Sequence, residues 1–197
     1  MRNILTQLDY RTAWVVSGLN FIIRPTEEAT LLGSPIDARG VDPALAAKRE
    51  QLEGVIPRLK KMAAHEAFCL LRSCFAIPRL LYLLGSAPGF ASTETTCLDE
   101  VIKNAVTFLG NLRLDAEAWA KAPLPVRSGG VGVRSVGDLA PSAFLSSMHA
   151  SAAMMQILLP AWAQQVPDPA LDSALPCWVV RGRVTAPTDP DSSVHRA

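Results

Sequence analysis

The chain has four cysteines and three histidines, and no two cysteines form a CxxC pair. Cys69, Cys74, Cys97 and Cys177 therefore lack zinc-ligand spacing, and no histidine lies close enough in sequence to complete one. They read as reduced, mostly buried thiols. No two aspartates are adjacent, and no Gly-Lys-Ser/Thr sequence occurs, which excludes a P-loop. Charged residues are scarce, at 19%, so the composition is not that of a solvated, disordered chain. A formal net charge of +1 excludes a surface built throughout for nucleic acid but leaves room for a local basic patch.

Long apolar runs are also missing. The first residues carry Thr6, Gln7 and Asp9 where a signal peptide needs an unbroken apolar core, so an intracellular location, cytoplasm or nucleus, is expected rather than secretion. The most apolar stretch, residues 152–163, is too short for a membrane span and contains Gln156 and Pro160. No transmembrane segment and no membrane partner are expected.

What is present is apolar residues, 49% of 197. That is enough for one domain with a core, and high enough that some of the apolar surface needs a partner. The order of the chain predicts a mainly α fold: a helical bundle with a short N-terminal β-hairpin/strand region and a disordered C-terminal tail. Residues 1–40 read as extended. "AWVV" (13–16) and "LNFII" (19–23) flank Ser17-Gly18 as in a hairpin, and "TLLGSPI" follows as a third short strand. Residues 41–160 read as helical. Asp42 is placed to cap a first helix with Pro43 at its first position, and Gly54 and Pro57 to kink or break it. Residues 63–75 form a second helix ending before Pro78, and "PRLLYLL" (78–84) is a buried apolar segment. Residues 85–96 form a loop, with Thr96 and Asp99 approximating a capping arrangement. Leu98, Val101, Ile102, Ala105, Val106, Leu109 and Leu112 repeat at i, i+3, i+4, i+7 and define a helix over 97–113. Asp138 caps a further helix running to about Leu159 with Phe144, Met148, Met155 and Leu158 on its apolar face. Residues 161–197, interrupted by prolines, read as an irregular, largely disordered tail.

Three glycines, Gly129, Gly130 and Gly132, lie in "SGGVGVRSVGDL". A nucleotide loop would need a third glycine at a different offset, or a lysine. The alternative is structural: Gly129 and Gly130 supply positive φ for a turn, and Gly132 allows close backbone approach.

This segment also resembles a known family. "LPVRSGGVGVRSVGDLAPSAFLSS" (124–147) is similar to the "LP…GGLGIRS…LA..AFLAS" segment that follows the polymerase domain in reverse transcriptases of non-LTR retrotransposons, a family of RNA-directed DNA polymerases. "EEATLLGSPI" (27–36) resembles the "LLG.PI" stretch after the catalytic motifs of that family. "HEAFCLLRSCFAIPRLLYLLGSAP" (65–88) resembles its helical "H.A..LLR.C...P...YLLR..P" block. The three occur in the family's order.

The resemblance implies a fragment that begins after the catalytic motifs. The family's palm carries an aromatic-x-Asp-Asp motif whose aspartates help hold two Mg2+ ions. This chain has no such pair, and its lone Asp9 reads as a surface residue or cap. No catalytic residue, metal ligand or cofactor is therefore expected in this chain; Mg2+ belongs to the intact parent family. Residues 1–40 would be the palm edge and 41–160 the thumb and connection. Leu32 and Gly33 match the primer-gripping motif. Lys48, Arg49, Arg58, Lys60, Lys61, Arg72 and Arg79 either contact phosphates, as a thumb tracks a duplex backbone, or form an ordinary solvated face. His65 marks the resemblance and reads as a packed core or boundary residue rather than a ligand. Gly85 stands where the family has arginine after "YLL", which removes a phosphate contact. The partners implied are RNA or an RNA–DNA duplex, and the palm and fingers portion. A protein-interaction module is the other reading.

Overall fold

The computed structural model describes residues 29–158 and 168–182, together with Val15, Val16, Leu19 and Asn20. Near the N-terminus, β1 (Val15–Val16) pairs antiparallel with β2 (Leu19–Asn20), with Val16 opposite Leu19. This is the expected hairpin. The expected third strand is instead a hairpin of its own, β3 (Thr30–Leu31) against β4 (Ser34–Pro35). Leu32 and Gly33 form its two-residue turn with φ of 52° and 84°, the positive-φ pair that a right-twisted ribbon favours. Asp9 and the tail beyond residue 182 lie outside the described residues.

The rest is helical. A 3-10 turn, Ala38–Gly40, is capped by Asp37, whose Oδ1 accepts from the Arg39 backbone N–H at 2.8 Å. It leads into α1 (Val41–Leu59). Asp42 is therefore inside the first turn, where a negative charge suits the helix dipole, and is not the cap. Nor do Gly54 and Pro57 break α1. Gly54 faces open space, and Pro57, which lacks only its own backbone N–H, lies within α1, which continues to Leu59. Leu45, Leu52 and Leu59 are buried on one face, and Ile56 is partly buried against the core.

After α2 (Ala64–Leu70) the chain widens into a π-helical turn, Leu71–Phe75, closed by Ala76 N–H donating to the Leu71 carbonyl. Ala76 turns the chain, and α3 (Ile77–Ser86) starts with Pro78 in its first turn. Leu80, Leu83 and Leu84 are buried, whereas Leu81 and Tyr82 are half exposed, so only one face of the apolar segment is core. By length and composition alone, Ala64–Ser86 is one run long and apolar enough to cross a membrane. Here its buried leucines pack in the bundle core.

The helix read from periodicity is α4 (Glu94–Gly110), with Leu98, Ile102, Ala105 and Val106 buried and Asn111 in the left-handed conformation at its end. Each of its large buried side chains is worth roughly 1.5–3 kcal/mol of transfer free energy. A short α5 (Ala116–Lys121) follows, capped by Asp115, which accepts from the Ala118 N–H at 2.7 Å. Then comes α6 (Val136–Leu158), packed on α3 and α4.

Residues 169–182 depart from the irregular tail expected over 161–197: they form α7 (Pro169–Gly182) against α6, with Ala174 fully buried. Asp168 accepts from the Ala170 N–H at 2.9 Å, and Pro169 occupies the first helical position. The cysteines also differ from expectation. Cys69, Cys74 and Cys97 are exposed, and only Cys177, half-buried, packs against the core.

Candidate nucleic-acid interface

The glycine segment resolves first. Between Ala122 and Val133 the chain folds back on itself, and its amides are spent internally. Gly129 N–H donates to Val126, Gly130 N–H to Pro125, Val131 and Val133 N–H to Ala122, and Gly132 N–H to Leu124. A phosphate cradle needs such donors pointing outward; these point inward, so the segment is a turn. The roles within it differ from expectation. Positive φ falls on Gly129 (82°) and Gly132 (70°), while Gly130 makes the close approach: a Cβ there would lie 2.0 Å from the Leu124 carbonyl oxygen. Gly132 instead seats Arg72, whose Cδ would be 3.1 Å from an added Cβ.

The turn delivers the chain to α6 at a buried polar junction. Asp99, on α4, accepts from Ser135 Oγ at 2.7 Å, Val136 N–H at 2.6 Å and Gly137 N–H at 3.0 Å. Ser135 Oγ in turn accepts from the Asp138 N–H at 3.2 Å. The cap expected of Asp138 is thus supplied by Ser135 and by Asp99 from another helix. Burial pushes the Asp99 carboxyl above its ordinary value, while its three donors pull the other way.

The cations divide sharply. Arg49 is saturated, with Nε 2.9 Å from Glu94 and Nη1 2.9 Å from Glu53, and these carboxylates hold its guanidinium above its ordinary value. Among the described residues, Lys48, Arg58, Lys60, Lys61, Arg72 and Arg79 form no ion pair. Lys48 and Arg79 line one crevice between α1 and α3 with Phe75, and the Arg79 guanidinium lies 4.8 Å from the Phe75 ring centre. Arg58, Lys60 and Lys61 gather at the end of α1. Because Arg49 meets the start of α4 at Glu94 and Lys60 meets its last turns at Phe108, α1 and α4 run parallel and end together.

The remaining candidates sit elsewhere. Leu32 and Gly33 are at the tip of the β3–β4 hairpin, which reaches the far end of α3 through a Ser86 Oγ to Ser34 Oγ bond of 2.8 Å. Leu32 is 84% exposed. From Arg79 to Ser86 is about 10 Å along the helix axis, so the candidates fall into separate groups rather than one site. His65 is exposed near the start of α2, not packed. Gly85 lies against Ser147 and Ala143 of α6, at 3.6 and 3.7 Å from an added Cβ, so small residues let α3 and α6 pack closely. Among the described residues no group of three His, Cys, Asp or Glu is placed to hold a metal ion.

Two features escaped the sequence. Phe108 is 55% exposed beneath the Lys60 ammonium, at 4.3 Å; its signal is that it falls outside the apolar repeat of α4. Arg134 lines a groove between α3 and α6 with Tyr82 and Ser147, a juxtaposition that no local sequence pattern encodes. No protein-family model, curated protein or solved structure matches the chain.

Proposed function

We propose that the chain is a non-catalytic, helical module related to the post-catalytic region of a non-LTR retrotransposon reverse transcriptase, and that it acts inside the cell by gripping the phosphate backbone of RNA or an RNA–DNA duplex. The observation that carries this reading is the set of unpaired cations on α1, the π turn and α3. Among the described residues these six basic residues, in separate groups, have no acidic partner, whereas Arg49 next to Lys48 is already paired with two carboxylates. Such a surface contacts backbone, not base edges, and so reads duplex shape and charge rather than sequence. The ordered resemblance of residues 27–36, 65–88 and 124–147 supports the same assignment.

Hybrid binding against salt is the test. The purified chain is expected to bind an RNA–DNA hybrid with affinity falling linearly in log–log form as salt rises, similarly for unrelated sequences, and to give no template-dependent primer extension with Mg2+. Salt-independent binding, or none at low salt, would overturn the proposal.

A further inference from the structure

The shared end of α1 and α4 carries more than charge. Phe108 presents an exposed aromatic ring on the last turns of α4, and Lys60 reaches across from α1 to lie 4.3 Å from its centre. Arg58 and Lys61 neighbour Lys60 in the chain at the end of α1, and Arg113 follows three residues after the end of α4; none of them is in an ion pair among the described residues. Two parallel helix C-termini contribute about half a negative charge each. Four cations against about one unit of dipole charge, Glu66 at the start of α2 and Asp115 two residues beyond Arg113 leave this end positive by about one charge.

We infer that this end of the bundle is a stacking site for an unpaired nucleotide: a base lies on the Phe108 ring while Arg58, Lys60 and Lys61 hold the flanking phosphates. The inference rests on the nucleic-acid reading above and narrows it to a single-stranded segment. An exposed ring bordered by cations is the recurring platform for single strands, because every base has a π-face and no duplex exposes one along its length. Lys60 supplies the exchange. Its ammonium over the ring is an exposed cation–π contact, weaker than a stacked base, so an arriving base displaces it towards the adjoining phosphate. Leu112, 44% exposed beyond the end of α4, adds apolar surface.

The full chain is titrated, by fluorescence anisotropy, into labelled oligothymidylate and into an RNA–DNA hybrid of equal length. Phe108→Leu is expected to weaken single-strand binding by roughly five-fold or more and hybrid binding by less than about two-fold. Phe108→Tyr, which keeps the ring, should retain parent affinity for both. Circular dichroism melting checks that the variants fold, as a half-exposed side chain should permit. An equal loss on both ligands, or no loss from Phe108→Leu, overturns the stacking site. Hybrid binding without oligothymidylate binding also overturns it, and leaves the backbone-gripping proposal standing. Binding of neither ligand overturns both.

Discussion

The two halves of α1 carry the same kind of residue in opposite circumstances. Arg49, midway along, is held by Glu53 and Glu94 within 2.9 Å, while Arg58, Lys60 and Lys61 at its end have no acid within reach among the described residues. The same contrast separates the interior junctions from that open end. Asp99 satisfies three donors and the glycine turn satisfies its own amides. Polar groups that hold the fold are paired; those left over mark a surface where a ligand can supply the partner.

Substitutions in the paired region should therefore cost stability without altering salt-dependent binding, and those at the open end should do the reverse. The largest effect is expected at Gly130. A valine there drives its Cβ into the Leu124 carbonyl at 2.0 Å, a backbone clash that no rotamer change relieves, so Gly130→Val should lose roughly 3 kcal/mol or more. Urea denaturation measures it, and a parent-like midpoint would mean that the turn is not as described. Asp99→Ala comes next. It strands Ser135 Oγ and the amides of Val136 and Gly137 at a buried junction, at a cost of about 2–3 kcal/mol.

Gly129→Ala is milder. Its φ is 82° but nothing lies within 4 Å of an added Cβ, so only the left-handed backbone is strained, by about 1 kcal/mol. The smallest effect is in pH. Burial raises the folded-state value of Asp99 above its unfolded one, so the folded protein keeps that proton to higher pH. The contribution of Asp99 is then fully present below the unfolded value and declines as pH rises through the folded one. The stability margin of the parent over Asp99→Asn should narrow from pH 4 to pH 7, and a widening margin would show that the three donors prevail over burial.

How much of this was legible in the sequence depends on range. The apolar repeat of α4 is a local signal and marks its buried face through Leu98, Ile102, Ala105 and Val106, while Leu112 of the same repeat lies past the helix end and is 44% exposed. Pro57 and the prolines after residue 160 read locally as breakers, but the fold around them decides their effect. Pro57 sits inside α1 without ending it, and Pro169 stands in a first turn after Asp168 as its cap, the same Asp-Pro pattern as Asp42-Pro43. The Asp99–Ser135 junction joins residues 36 apart, and the saturation of Arg49 by Glu94 spans 45. No periodicity encodes such pairings, so which cations are free became visible only once the helices were packed.

The sharpest test compares the two halves of α1 in one assay: the slope of log affinity for an RNA–DNA hybrid against log salt, for the parent, for Arg49→Ala, and for the triple variant Arg58→Ala, Lys60→Ala, Lys61→Ala. The account predicts that the triple variant weakens binding alike on unrelated sequences and flattens the slope by up to about three contacts' worth, each roughly 0.9 as in B-DNA. Arg49→Ala, whose charge is already neutralised, should leave the slope unchanged. A slope that the triple variant does not move, or that Arg49→Ala moves as much, would contradict it.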